Sequence, residues 1–220
     1  MEHWVKVNKE INMNILCYGD SNTWGYVPNI NGYSKDAVMK KYDESDCWWY
    51  SLMQGNNVFV NGLCGRCIAH ENKWLKNRNS FKTISSDLQS YHDLDLIIVQ
   101  LGTNDCKCEY NDSAEDITNN LEVLLDIIKK EINVDIIVIS PAIITEDNKI
   151  TQKYYIEAQK KSYELDSLFK KLCVKNGYLF ISGKDLETGE DGEHFTKLSH
   201  KRLGTRVLSK IKELTNTREM

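Results

Sequence analysis

The chain has 220 residues, 41% hydrophobic and 27% charged, which supplies a full core and argues against disorder. A formal net charge of −4 gives no electrostatic footing for nucleic acid or an anionic membrane surface. No run is long and apolar enough to span a bilayer, and residues 1–12 read as a polar leader without the apolar centre of a signal peptide, ahead of a single domain over 13–215.

Met13 to Tyr18 is an apolar run of strand length, broken at once by Gly19-Asp20-Ser21. Val27 to Tyr42 reads as a loop, with Pro28, Asn29, Asn31 and Gly32 as turn formers. Asp46 is expected to cap a helix through Cys47 to Met53, whose Trp48, Trp49 and Leu52 form an apolar face. Val58-Phe59-Val60 is a short strand that stops at Asn61-Gly62. A helix is expected over Phe81 to Tyr91, then a strand over Asp95 to Leu101, nearly all apolar and so covered on both faces.

Ser113 and Asp116 form a capping-box pattern. Ile117, Leu121, Leu124, Leu125, Ile128 and Ile132 then recur at helical spacing. Val134 to Ile139 is a buried strand stopped by Ser140-Pro141, and Ala142 to Lys149 reads as a surface loop. A long helix over Thr151 to Lys175 is followed by Gly177, a strand over Tyr178 to Ile181, and a helix over Lys197 to Leu214. Strand and helix alternate with no repeat or linker. The fold class predicted is α/β: a three-layer α/β/α sandwich on a five-stranded parallel sheet, order 2-1-3-4-5, flavodoxin-like. In that order the end of strand one lies at a switch point, where open α/β sheets bind ligands.

Polar signals collect in Gly19-Asp20-Ser21, Gly62-Leu63-Cys64-Gly65-Arg66, Gly102-Thr103-Asn104-Asp105 and Asp191-Gly192-Glu193-His194. In a parallel sheet the first three open onto one edge. In this order the blocks resemble the GDSL, or SGNH, hydrolase family. Its hallmark serine, glycine, asparagine and histidine fall on Ser21, Gly65, Asn104 and His194, with Asp191 three residues before the histidine. The stretches Gly19-Asp20-Ser21-Asn22-Thr23-Trp24-Gly25-Tyr26-Val27-Pro28 and Leu101-Gly102-Thr103-Asn104-Asp105 look most like the bacterial arylesterase and acyltransferase branch.

A serine hydroxyl is a poor nucleophile until a base takes its proton. Ser21 is the candidate nucleophile, His194 the candidate base, and Asp191 the group that holds the imidazole tautomer. The resemblance implies that the Ser21 and Gly65 backbone N–H groups and the Asn104 amide form the oxyanion hole; Gly62 lies close enough in sequence to stand in for Gly65. Asp20 is expected to shape the turn or cap the helix after it. Trp24 and Tyr26 are read either as substrate-binding walls of the acyl pocket or as ordinary packing, and Arg66 as a solvated surface residue ahead of one that binds a carboxylate or orients its loop. His3, His70, His92 and His200 have no partner pattern and are read as structural or surface residues.

Seven cysteines, an odd number, suggest reduced thiols and a cytoplasmic setting. Cys64, Cys67, Cys106 and Cys108 admit a four-thiolate zinc site or a redox pair, yet their spacing fits free cysteines better. The expected protein is a serine esterase of small acyl, acetyl-like esters that needs no metal or organic cofactor. The resemblance also implies acyl transfer to alcohols or peroxide, and self-association, although no interface stripe is legible. Within the family the alternatives are a carbohydrate acetylesterase and a lysophospholipase. Outside enzymes, the alternative is a flavodoxin-like module that binds a phosphate ligand and gives His194 no role.

Overall fold

A computed structural model describes residues 12–32 and 38–218. Residues 1–11 of the expected leader, His3 among them, lie outside the described residues. Strands β1 (Asn14–Gly19), β2 (Asn57–Gly62), β3 (Leu96–Gln100), β4 (Asp135–Ile139) and β5 (Leu179–Ile181) form one parallel sheet in the order 2-1-3-4-5, as the alternation predicts. The central strand β3 pairs Ile97 with Leu16 of β1 and with Ile136 of β4.

Side chains alternate across the sheet, so each central strand feeds two cores. Leu16, Tyr18, Ile97, Val99, Ile136 and Val138 face helices α2 (Ser80–Leu88), α3 (Ala114–Glu131) and α5 (Ala158–Asn176). Ile15, Cys17, Leu96, Ile98, Ile137 and Ile139 face Trp48, Trp49, Leu52 and helix α6 (Lys197–Arg218). Each such buried aliphatic side chain contributes about 1.5–3 kcal/mol relative to exposure. The capping box at α3 is formed: Ser113 Oγ accepts from the Asp116 N–H at 3.0 Å, and Asp116 Oδ2 accepts from the Ser113 N–H at 3.0 Å.

Three local expectations are corrected. The segment expected as a helix from Cys47 is a 3₁₀ helix, Trp48–Met53, without a side-chain cap. Asp46 pairs instead with Lys197 Nζ at 2.5 Å, and consecutive Trp48 and Trp49 both enter the core. Trp49 Nε1 donates to Thr23 O at 2.8 Å. The helix expected over Thr151–Lys175 is broken into α4 (Thr151–Tyr154) and α5, with Glu157 at φ 64° between them. The break turns Tyr155 inward, where its hydroxyl donates to Glu193. The expected surface loop Ala142–Lys149 begins underneath the surface, with Ala142 and Ile144 buried and the Ile144 N–H held by Ser162 Oγ. Among the described residues no helix is long and apolar enough to cross a membrane.

Candidate active site

β1 delivers its last residue to the sheet edge, and the chain folds straight back as the short helix α1 (Ser21–Trp24). Glycine at position 19 is required for that reversal: a Cβ there would lie 2.2 Å from Thr23 Oγ1 and 2.6 Å from Gln100 O. Asp20 is the N-cap, its Oδ1 accepting from the Asn22 N–H at 2.8 Å. Burial, outweighing that bond and the His194 charge, raises the Asp20 pKa to about 7.

Asn22, which no sequence signal singled out, joins α1 to the far end of the chain. Its Nδ2 donates to Glu193 O at 3.2 Å, and its Oδ1 accepts from the Phe195 N–H at 2.8 Å. That clamp brings His194 against Ser21. Nε2 of His194 lies 2.8 Å from Ser21 Oγ, and Nδ1 lies 2.9 Å from Asp191 Oδ2. All three side chains are buried. A carboxylate only accepts, so Nδ1 carries the proton and Nε2 is left to accept from the hydroxyl.

Asp191 is itself fixed, accepting from the N–H groups of His194 at 3.1 Å, Glu193 at 3.3 Å and Asn29 at 2.8 Å. Burial would raise its pKa, but the His194 bonds and these amides outweigh it and hold the carboxyl low. At His194 burial works to lower the pKa; the Glu193, Asp191 and Asp20 charges overcome it and raise the value above 6.5. Tyr26 stacks on the imidazole, with ring centroids 4.2 Å apart.

The other two blocks arrive from β2 and β3. Gly65, at φ 78°, and Asn104 line the same cavity as Ser21 and His194, a space of about 690 Å³. Gly62 lies under α1 instead, where a Cβ would stand 2.3 Å from Trp24 N. Asn104 Nδ2 donates to Arg66 O at 3.1 Å, and its Oδ1 accepts from Lys107 Nζ at 2.9 Å. Arg66 is a correction: it is 1% exposed, not a surface residue. Its guanidinium donates to Gly19 O at 2.9 Å and to Asn61 Oδ1 at 2.7 Å and lies 4.0 Å from the Tyr18 ring centre. It thus ties the Gly65 loop to the end of β1.

Tyr26 lines the cavity with Trp74, Leu75 and Tyr154. Trp24 is not among the lining residues; it packs on Tyr26 at 6.3 Å and beneath Lys41. Lys107 and Glu193, both buried, were not anticipated as cavity residues. Cys64 lines the cavity, and burial raises its thiol pKa to about 12. Cys67 donates to Tyr110 Oη, Cys106 is in the core, and Cys108 is exposed beside Lys153 O. Among the described residues no group of three or more His, Cys, Asp or Glu side chains is arranged to hold a metal ion. His70 bonds Asp112 at 2.6 Å and stacks on Tyr110, while His200 is buried between Tyr42 and Phe195.

A hydroxyl, an imidazole and a carboxylate thus stand in one hydrogen-bonded line at the C-terminal edge of the sheet. The chain belongs to the GDSL-like lipase/acylhydrolase family, whose model matches residues 17–203. Among solved structures it is similar to the native aryl esterase of M. smegmatis, with 25% identity over 92% of this chain and 99% of that one and a TM-score of 0.84. A carbohydrate acetylesterase from Sinorhizobium meliloti shares the fold, with 23% identity over 92% of this chain and 100% of that one and a TM-score of 0.83. So does a lipase/acylhydrolase from Enterococcus faecalis, with 19% identity over 91% of this chain and 96% of that one and a TM-score of 0.66. No curated protein matches the sequence.

Proposed function

We propose that the chain is a serine esterase of small acyl esters, with Ser21 as nucleophile, His194 as general base and acid, and Asp191 as the orienting carboxylate. Ser21 Oγ bonds to the acyl carbon as its proton passes to His194 Nε2. The ester C–O bond then breaks, and the alcohol oxygen leaves with that proton. Water enters, gives a proton to His194 and its oxygen to the acyl carbon, and the acid departs as the proton returns to Ser21. The negative oxygen formed at each attack is held by the Ser21 and Gly65 N–H groups and the Asn104 amide.

The observation that carries this reading is the continuous relay from Ser21 Oγ to His194 Nε2 at 2.8 Å and from His194 Nδ1 to Asp191 Oδ2 at 2.9 Å. A phosphate-binding module has no use for such a relay. Tyr26 stacks on His194 as an apolar wall of the cavity beside Ser21, and the reading of short acyl groups is supported by the likeness to an aryl esterase and a carbohydrate acetylesterase. The same apolar wall would shield an acyl-enzyme from water and favour an alcohol as acceptor.

The test is hydrolysis of p-nitrophenyl acetate by wild type and by Ser21→Ala. Turnover is expected to fall by about 10⁴-fold or more in the variant, the range seen when a triad member is removed. Activity that is indifferent to the substitution removes the mechanism. Acetyl, butyryl and longer esters, each with and without added alcohol, then measure acyl preference and the balance of hydrolysis against transfer.

A further inference from the structure

An asparagine amide has two ends of nearly the same shape. Rotated by half a turn, Asn104 would offer a carbonyl rather than an N–H to the cavity, and a carbonyl repels a developing oxyanion. The partners at each end decide the matter. Nδ2 is drawn toward Arg66 O at 3.1 Å, and Oδ1 accepts from Lys107 Nζ at 2.9 Å. An ammonium has donors and no acceptor, so the bond to Lys107 is lost if the amide turns over.

Lys107 is built for this contact. It is 3% exposed, and its backbone N–H donates to Asn104 O at 3.2 Å, which sets the distance between the two residues. Its Nζ lies 5.7 Å from the centre of the Tyr155 ring, and the Tyr155 hydroxyl is anchored in turn on Glu193, beside His194. A lysine stem enclosed in this way has few other rotamers to visit. A charge-assisted bond to Oδ1 also withdraws electrons from the amide and makes its N–H a stronger donor.

We propose that Lys107 is a positioning residue of the oxyanion site: it locks Asn104 with the N–H facing the substrate and polarises it. This rests on the reading of Asn104 as an oxyanion donor.

The experiment is a double-mutant cycle on p-nitrophenyl acetate with Lys107→Met, Asn104→Ala and the pair. Lys107→Met is expected to lower kcat by about 10²-fold with KM changed by no more than about threefold, the signature of an interaction made in the transition state. In the Asn104→Ala background the same substitution should cost less than about threefold, because the amide it holds is gone. Lys107→Arg keeps a cationic donor and should recover most of the rate. Circular dichroism melts check folding; if the methionine variant does not fold, the cycle is run with Lys107→Gln. Wild-type kcat in the Lys107 variant, a change in KM alone, or an equal loss in both backgrounds overturns the proposal. Loss of activity in Ser21→Ala together with full activity in Lys107→Met sinks only this inference. Activity surviving in Ser21→Ala sinks the esterase reading itself.

Discussion

Two carboxylates face one imidazole in this cavity. Asp191 makes the bond to His194 Nδ1, while Glu193 Oε1 lies 3.9 Å from the same nitrogen, buried and without a hydrogen-bond partner among the described residues. Burial disfavours the imidazolium; the Glu193, Asp191 and Asp20 charges overcome that and raise its pKa above 6.5. A general base works only when unprotonated, so kcat/KM should rise with pH through an apparent pKa above 6.5. Glu193→Gln removes one of the stabilising charges, lowers the imidazole pKa, and should move the acid limb to lower pH. A pH profile on p-nitrophenyl acetate checks this, and an unmoved limb would show that Glu193 does not act on His194. That Ser21, Gly65, Asn104 and His194 would meet at one cavity was legible in the sequence, because the first three blocks follow β1, β2 and β3 and the loop of Asp191 and His194 leads into α6. Asn22, Arg66 and Glu193 were not, because their roles depend on partners up to 173 residues away or on carbonyls at strand ends, and Lys107 was not, because its bond to Asn104 three residues back depends on the 3₁₀ turn Asn104–Cys106.

At the scale of elements, the ends of α3 agree with its macrodipole: Glu115 and Asp116 stand in the first turn, Lys129 and Lys130 in the last. The reciprocal bonds between Ser113 and Asp116 satisfy two donors that the helix leaves free. Ser113→Ala should therefore cost about 1 kcal/mol, typical of a lost N-cap, and lower Tm by roughly 2–4 °C for a chain of this size. Thermal denaturation checks it, with esterase activity unchanged at 25 °C because the cap lies outside the cavity. Strands and helices with one dominant period were read correctly, as in β3 and α3. The break between α4 and α5 was invisible because no Gly or Pro marks it. Glu157 takes up the positive φ, and the cause is a tertiary one, the inward turn of Tyr155 toward Glu193. The Trp48–Met53 segment misled in the same way, since packing of two adjacent tryptophans against α6 overrode helical periodicity.

For the whole molecule, three buried groups set opposed pH dependences. Burial raises the pKa of Asp20 to about 7 and of Asp105 to about 6. Folding holds their protons more tightly than the unfolded chain does, so their contribution to stability falls as pH rises from about 4 toward 7. His200 acts in the other sense. It is packed edge-on between Tyr42 and Phe195, both ring nitrogens lack a hydrogen-bond partner among the described residues, and burial followed by the His194 charge lowers its pKa to about 4. Below 6.5 the unfolded chain takes a proton that the folded protein refuses, so stability is lost as pH falls from 6.5 toward 4. His200→Phe keeps an aromatic ring in the same apolar slot and removes that proton. Its stability relative to wild type should therefore rise on acidification, by about 3 kcal/mol between pH 7 and pH 4 at 1.36 kcal/mol per pKa unit. Urea denaturation of both proteins across that range measures the difference, and any fixed packing cost of the larger ring cancels between the two ends. A pH-independent difference would mean that the folded protein protonates His200 as readily as the unfolded chain does, and that the slot is open to water.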